Sequence, residues 1–137
     1  RRYMEVLNFY HVGKKIQEGA VYIGRYNHNF NLPASKFANP FPVSKEAGGR
    51  GSTIEKYKKW LWQQLITEKI TKSELLELDG KNLVCYCKPQ ACHGDVILSA
   101  IKWVKSSDHA LEDAISNYKE QQKANSDITY KVRRKLS

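Results

Sequence analysis

The sequence is short of cysteine and has no long apolar run. Its three cysteines are an odd number gathered in one stretch, which makes a poor disulfide framework. No run of apolar residues approaches the length of a membrane span, and no stretch has the pattern of a signal peptide. We therefore expect a protein that needs neither disulfides nor a membrane, with a reducing cytoplasm as its compartment.

Acidic residues are also scarce relative to basic ones. The chain has 14 Asp and Glu against 23 Lys and Arg, a formal net charge of +9 over 137 residues. This excess favours acidic partners, nucleic acid or nucleotides first, although a solvated lysine surface is the alternative. The length suits one domain with a real core. The chain starts Arg1-Arg2 with its only methionine at position 4, as expected of a processed product or an excised domain.

Hydrophobic periodicity predicts strands and helices in the order ββ–loop–αα–β–α–α, with a final edge strand. This order predicts an α/β fold: a small single domain with a short, mostly parallel or mixed sheet flanked by helices. Residues 1–105 would form the core domain, and residues 106–137 a helix and basic tail packed on it or extending from it. The predicted strands are Glu5–Val12, Ala20–Gly24, Lys81–Cys87 and Ser126–Ser137. The long predicted loop is Arg25–Gly51. The first predicted helix is capped by Ser52 or Thr53, and the others are Ser73–Leu78, His93–Lys105, and Ser107-Asp108 to about Lys123.

All the cysteines lie in one stretch that runs from the third predicted strand into a helix, where α/β proteins bind ligands. Cys85, Cys87, Cys92 and His93 are ligand types that zinc prefers, although their spacing is not that of a zinc finger. Alternatively, Cys92 at the predicted start of the helix would be a reactive thiolate, with His93 beside it, Lys88 nearby, and His93 or Asp95 as acid or base. These interpretations make Cys87, Cys92, His93 and Asp95 the candidate catalytic residues.

Two further interpretations of the same stretch stay open. The loop at Lys88 and the backbone N–H groups of the helix start, up to Gly94, could bind a phosphate or carboxylate. The cluster could also be structural, with Cys85 in the core in every case. We expect Cys92 to be more reactive than Cys85. We also expect Cys85→Ser to lower stability, and His93→Ala, as the loss of an exposed side chain, to lower binding instead.

Arg25 and Asn39 are the candidate ligand-binding residues of the long loop. Arg25 directly follows the second predicted strand. If that strand is a parallel neighbour of the third, Arg25 emerges at the same edge as Cys87 and suits a phosphate or carboxylate. Asn39 precedes Pro40 and could bind a base or sugar, or bond its own backbone in an Asx-turn.

These motifs resemble the domain of unknown function 4326 family of phages and bacteria. They are Tyr22-Ile23-Gly24-Arg25, Ala38-Asn39-Pro40-Phe41, Tyr57-Lys-Lys-Trp60-Leu61, and the signature from Cys85 to Asp95. The resemblance covers about Val21 to Ile101 and implies the α/β fold and the location of the site. It implies no reaction, although its phage setting favours nucleotide or nucleic-acid metabolism. The compartment would then be the host cytoplasm or the virion.

We therefore expect an α/β domain that binds a phosphate-bearing ligand such as a nucleotide or nucleic acid. If the domain is also an enzyme, it would modify this ligand. The alternative is a non-catalytic module that binds nucleic acid or a protein partner, with a structural or zinc-binding Cys/His cluster. The sequence leaves open whether the protein is an enzyme.

Overall fold

Three short parallel strands lie at the centre of the fold. The structure, a computed structural model, describes residues 4–41, 49–85 and 93–136. Its strands are β1 (Val6–Asn8), β2 (Ala20–Tyr22) and β3 (Asn82–Cys85). β3 is central, in the order β1-β3-β2, and both of its pairings are parallel. The predicted α/β class is therefore confirmed. The condition set for Arg25, that β2 and β3 are parallel neighbours, is met.

The strands are shorter than predicted, and β1 shows the reason. The Asn8 side-chain oxygen accepts a hydrogen bond from the Tyr10 N–H at 2.9 Å, and the Asn8 carbonyl accepts one from the His11 N–H at 3.0 Å. This local turn competes with the sheet for the backbone, so the strand ends at Asn8 instead of continuing to Val12.

Four helices accompany the sheet. They are α1 (Gly49–Ile66), α2 (Lys72–Leu76), α3 (His93–Ser106) and α4 (Ala110–Leu136). The short helix α2 is fixed by a capping box: the Thr71 hydroxyl accepts from the Glu74 N–H, and the Glu74 carboxylate accepts from the Thr71 N–H. The predicted helix His93–Lys105 differs from α3 by one residue.

The predicted start of α1 is wrong. Ser52 or Thr53 was expected to cap it, but the helix begins at Gly49, and Thr53 lies inside it with 3% of its surface exposed. The glycines before Ser52 indicated a loop because glycine has a low helix propensity. Propensity is a weak constraint, and tertiary context can override it.

Both predicted ends of α4 are also wrong. The helix begins at Ala110, after His109 in a left-handed conformation (φ 56°), and not at Ser107-Asp108. It continues to Leu136, so Ser126–Ser137 is not an edge strand. The described sheet pairs no strand from this segment, whereas a helix satisfies its backbone hydrogen bonds internally.

The core lies between the sheet and the helices. α3 packs on β3, and α1 and α2 pack on α3. Leu111 is buried in the same core and anchors the start of α4. Within the described residues, no helix combines the length and apolar character that crossing a bilayer would require. The largest fully buried side chains are Tyr57, Phe9, Ile23, Leu61, Leu65, Leu75, Leu83, Ile97, Leu111, Val84 and Cys85.

Candidate functional site at the carboxyl edge of the sheet

A cavity of about 170 Å³ opens where β2 and β3 end, and we refer to it as the sheet-edge cavity. Parallel strands deliver the residues that follow them to one edge, which is where α/β sheets bind ligands. Four of the residues singled out from the sequence meet here: Arg25, Asn39, Cys85 and His93. The other lining residues are Tyr22, Gly24, Tyr26 and Asn27.

Arg25 is held in place from both sides. Its Nε donates a hydrogen bond to the Asn39 carbonyl at 2.7 Å, and its own carbonyl accepts one from the Tyr22 hydroxyl at 2.5 Å. Among the described residues, no partner engages the two Nη groups. An arginine anchored through Nε keeps those groups available as a planar pair of donors, which suits a phosphate or carboxylate.

Asn39 takes part in an Asx-turn, the local alternative considered for it. Its side-chain oxygen accepts a hydrogen bond from the Phe41 N–H at 2.9 Å. That bond uses the oxygen and leaves the amide NH₂ as the donor that Asn39 can offer to a ligand. Asn39 therefore supports Arg25 through its carbonyl and is one of the residues that line the cavity.

His93 is buried, and the expectation of an exposed site histidine is wrong. Only 5% of its surface is exposed, because its ring lies against the Tyr57 ring, with centroids 5.0 Å apart, at the start of α3. His93 Nε2 lies 2.8 Å from the Ile23 carbonyl oxygen. A carbonyl only accepts, so Nε2 carries the hydrogen, and in the neutral ring Nδ1 is the acceptor. His93 thus joins the start of α3 to the end of β2.

Cys85 belongs to the core, as predicted. It is 1% exposed, and it is the one cysteine in the described part of the chain. Residues 4–41, 49–85 and 93–136 contain no group of three or more His, Cys, Asp or Glu that could hold a metal. Cys87, Lys88 and Cys92 lie outside the described residues, so the zinc and thiolate hypotheses stay predictions.

Gly94 and Asp95 have surroundings that the sequence did not indicate. A Cβ at Gly94 would lie 2.8 Å from Val6 Cγ1 and 3.0 Å from Ile23 Cδ1, so the missing side chain lets α3 approach the sheet closely. Asp95 lines a different cavity, a mostly apolar groove of about 540 Å³ between α1 and α3. The structure does not bring Asp95 to the sheet-edge cavity.

The sequence analysis named Tyr22 only as part of a motif and did not single out Tyr26 or Asn27. Tyr22 supports Arg25, while Tyr26 stands at the cavity with 63% of its surface exposed. The available signal was position, because Tyr26 and Asn27 directly follow Arg25 beyond the end of β2. Residues just beyond parallel strands are the ones that the fold gathers at a site.

The fold and the cavity define a small α/β domain with a candidate ligand site at the carboxyl edge of a parallel sheet. Residues 8–103 match the family described as "Domain of unknown function (DUF4326)". The chain belongs to this family, as its motifs suggested, and the match includes the whole sheet-edge cavity. All of α4, which begins at Ala110, lies outside the match.

Two relatives are viral. The chain is 34% identical over 93 residues to the "Uncharacterized 12.4 kDa protein in nrdA-td intergenic region" of Enterobacteria phage T4, covering 66% of this chain and 85% of the relative. It is 31% identical over 103 residues to the "Uncharacterized protein R718" of Acanthamoeba polyphaga mimivirus, covering 68% of this chain and 75% of the relative. No solved structure matches.

Proposed function

We propose that the sheet-edge cavity binds a phosphate-bearing ligand, either a nucleotide or a segment of nucleic acid. The observation that carries the proposal is the anchored guanidinium of Arg25 beside the cavity at the carboxyl edge of the sheet. The Nε bond fixes the plane of the guanidinium before a ligand arrives, so binding costs less side-chain entropy.

The charge and the lining of the cavity support an anionic ligand. The chain carries a net charge of +9, which attracts anions over several ångströms. Among the residues that the structure describes, no acidic side chain lines the cavity, and Asn39 adds a neutral amide beside Arg25. The host cytoplasm, or the virion, is the setting we propose for this binding.

A modifying activity would need groups beyond those that bind. Cys87, Cys92, His93 and Asp95 remain the candidates for chemistry. His93 is the one of these four that lines the cavity in the described structure. Because its Nε2 donates to the Ile23 carbonyl, Nδ1 is the nitrogen through which it would accept a proton.

The alternative is a non-catalytic module in which Cys85, Cys87, Cys92 and His93 hold zinc or stabilise the fold. The His93 bond to Ile23 would restrict zinc to Nδ1, and such an outer hydrogen bond is typical of histidine ligands. Metal analysis of the purified full chain, with His93→Gln as the comparison, distinguishes this alternative from the anion site.

A second candidate function concerns the end of α4. Residues 120–136, which we call the α4 arm, continue the helix for roughly 25 Å at 1.5 Å per residue. Residues 120–128 are all exposed. A basic helix with an exposed stretch of this kind suits the backbone of a nucleic acid. The arm has five cations, Lys123, Lys131, Arg133, Arg134 and Lys135, against two acids, Glu120 and Asp127.

Calorimetric titration of the full chain with inorganic phosphate and with a 5′-mononucleotide tests the proposed function. We expect Arg25→Ala to weaken both by about 10- to 100-fold, the cost of one charged hydrogen-bonding partner. The matched control is Lys81→Ala, which removes the same charge from an exposed position beside the opposite end of β3. Equal losses in the two variants would reduce the site to a general charge effect and overturn the proposal.

A further inference from the structure

Tyr26 is an exposed aromatic residue held at the mouth of the sheet-edge cavity. It lies between two fixed points of the backbone: the Arg25 carbonyl accepts from the Tyr22 hydroxyl, and Asn27 exchanges two backbone hydrogen bonds with Leu32, at 2.8 and 3.0 Å. Its ring makes no contact with another ring among the described residues. A large apolar ring that is exposed on a fixed backbone beside a cation is suited to a planar ligand group.

The size of the cavity shows where such a group would lie. A volume of about 170 Å³ is smaller than the roughly 300–1,000 Å³ of pockets that enclose a whole small ligand. It can receive a phosphate and part of a sugar. The rest of a nucleotide would lie outside, against whatever borders the opening, and the exposed ring of Tyr26 is there.

The Asn39 amide stands on the same lining. Its oxygen is occupied by the Phe41 N–H, so the NH₂ group is the part that can bond a ligand. A hydroxyl oxygen of a sugar or a carbonyl oxygen of a base would accept from it. Arginine, amide donor and aromatic ring thus match the phosphate, sugar and base of one nucleotide.

We propose that the sheet-edge cavity recognises a nucleoside 5′-monophosphate unit, with the phosphate at Arg25 and the base stacked on Tyr26. The proposal rests on the anion site proposed above and narrows its ligand from any phosphate to an aromatic one. A single stacking contact tolerates every base, so the site would select for the presence of a base and hardly among bases.

The test compares three ligands, each of which adds one group to the one before: inorganic phosphate, ribose 5-phosphate and adenosine 5′-monophosphate. Titration calorimetry on the full chain should give the mononucleotide about 5- to 150-fold tighter binding than ribose 5-phosphate, the range of one base–aromatic stack. Tyr26→Leu should remove this preference, Tyr26→Phe should keep it, and neither should change the affinity for inorganic phosphate.

The outcomes separate this inference from the proposed function. Arg25-dependent binding of phosphate without a preference for the mononucleotide would overturn the inference and leave the anion site standing. A Tyr26→Leu loss that is equal for all three ligands would also overturn it, because stacking affects only the ligand with a base. Failure of all three ligands to bind would overturn both proposals.

A short oligonucleotide distinguishes the two sources of the same unit. If the site takes free nucleotides, the mononucleotide should bind at least as tightly as a four-nucleotide single strand. If it takes nucleic acid, the single strand should bind more tightly, and Tyr26→Leu should weaken it by a similar factor. If neither Tyr26→Leu nor Arg25→Ala changed the affinity for the single strand, the assignment of that ligand to this cavity would be overturned.

Discussion

The body of the protein and the α4 arm are stabilised in different ways. In the body, parallel strands, a buried histidine and close packing at Gly94 fix the carboxyl edge of the sheet. In the arm, by contrast, residues 120–128 are exposed, including Ile128, of whose surface 60% is accessible. Most of the body lies within residues 8–103, which match the family, and the arm lies beyond them.

This difference separates two ways of binding an anion. The cavity would bind through a few groups that the fold holds in position, so single substitutions there should have large and specific effects. The arm would bind through the combined attraction of its several charges. Single substitutions there should change the affinity little, and the salt concentration should change it greatly.

The largest expected effect on stability is the loss of His93. His93→Ala removes a buried ring and leaves the Ile23 carbonyl without this donor, so we expect a loss of about 2–4 kcal/mol in the free energy of unfolding. Cys85→Ser should cost less, roughly 1–3 kcal/mol. Denaturant unfolding of the variants measures both values.

Two controls sharpen this result. His93→Gln can keep an N–H donor near the Ile23 carbonyl and should recover part of the loss. Ile128→Ala in the arm should stay within about 0.5 kcal/mol of the parent, as exposed substitutions usually do. If His93→Ala proved as mild as Ile128→Ala, the joining role of His93 would be wrong.

The next effect tests the arm as a nucleic-acid surface. Replacement of Lys131, Arg133, Arg134 and Lys135 by Gln keeps good helix formers and removes four charges. If all four contact phosphates of a duplex, the slope of log affinity against log salt should fall by about 3.6. Filter or fluorescence binding to a duplex over a salt series measures it, and Arg25→Ala should leave this slope within about one. An unchanged slope in the fourfold variant would show that the arm is a solvated helix end.

Gly94 offers a smaller test of the packing behind the cavity. Gly94→Ala should destabilise the protein by about 1–2 kcal/mol, because the new Cβ would approach Val6 too closely. Ordinary helix propensity favours alanine over glycine, so it predicts the opposite sign. In the double variant, Val6→Ala should relieve part of the cost. A stabilised Gly94→Ala protein would show that the approach of α3 to the sheet is looser than the distances indicate.

The smallest effect lies at the junction between the body and α4. A hydrogen bond from Lys72 lowers the pKa of Glu112 below its usual value of 4.5, and the nearby positive charges of Lys72 and His109 add to the shift. Because the pKa of Glu112 is lowered in the folded state, its contribution to the free energy of unfolding is fully present above pH 4.5. The contribution is lost as the pH falls through the folded-state pKa.

Thermal melts of the parent and Glu112→Gln test this junction at neutral pH and in acid below 4.5. The parent should have a small advantage at neutral pH that shrinks in acid. The expected advantage is small because both side chains are largely accessible to solvent. An advantage that grew in acid would contradict the direction of the pKa shift.

The sequence predicted those parts of the molecule that local chemistry determines. The sequence indicated β3 as a strand with Cys85 in the core. The placement of Arg25 after β2 put it at the candidate site once the strands were known to be parallel neighbours. The burial of His93 could not be predicted, because it depends on Tyr57 and Ile23, which are distant along the chain.

The end of α4 shows another limit. Residues 126–137 alternate polar and apolar side chains, which is typical of an edge strand, but a strand also needs a neighbour with which to pair. Over so few residues, periodicity does not separate the two structures. Tyr26 was missed for a related reason: its importance comes from a cavity that exists only after β2 and β3 pair.

Chemical-shift mapping of the full, isotopically labelled chain tests the central claim most directly. Titration with inorganic phosphate should shift the Arg25 Nε–Hε signal and the backbone amides of residues 24–27, with saturation at one site. The amides of residues 120–128 should stay unchanged at moderate salt, because one phosphate gains little from scattered, screened charges. Shifts confined to the α4 arm, or spread evenly over the lysines of the whole surface, would contradict an anion site at the carboxyl edge of the sheet.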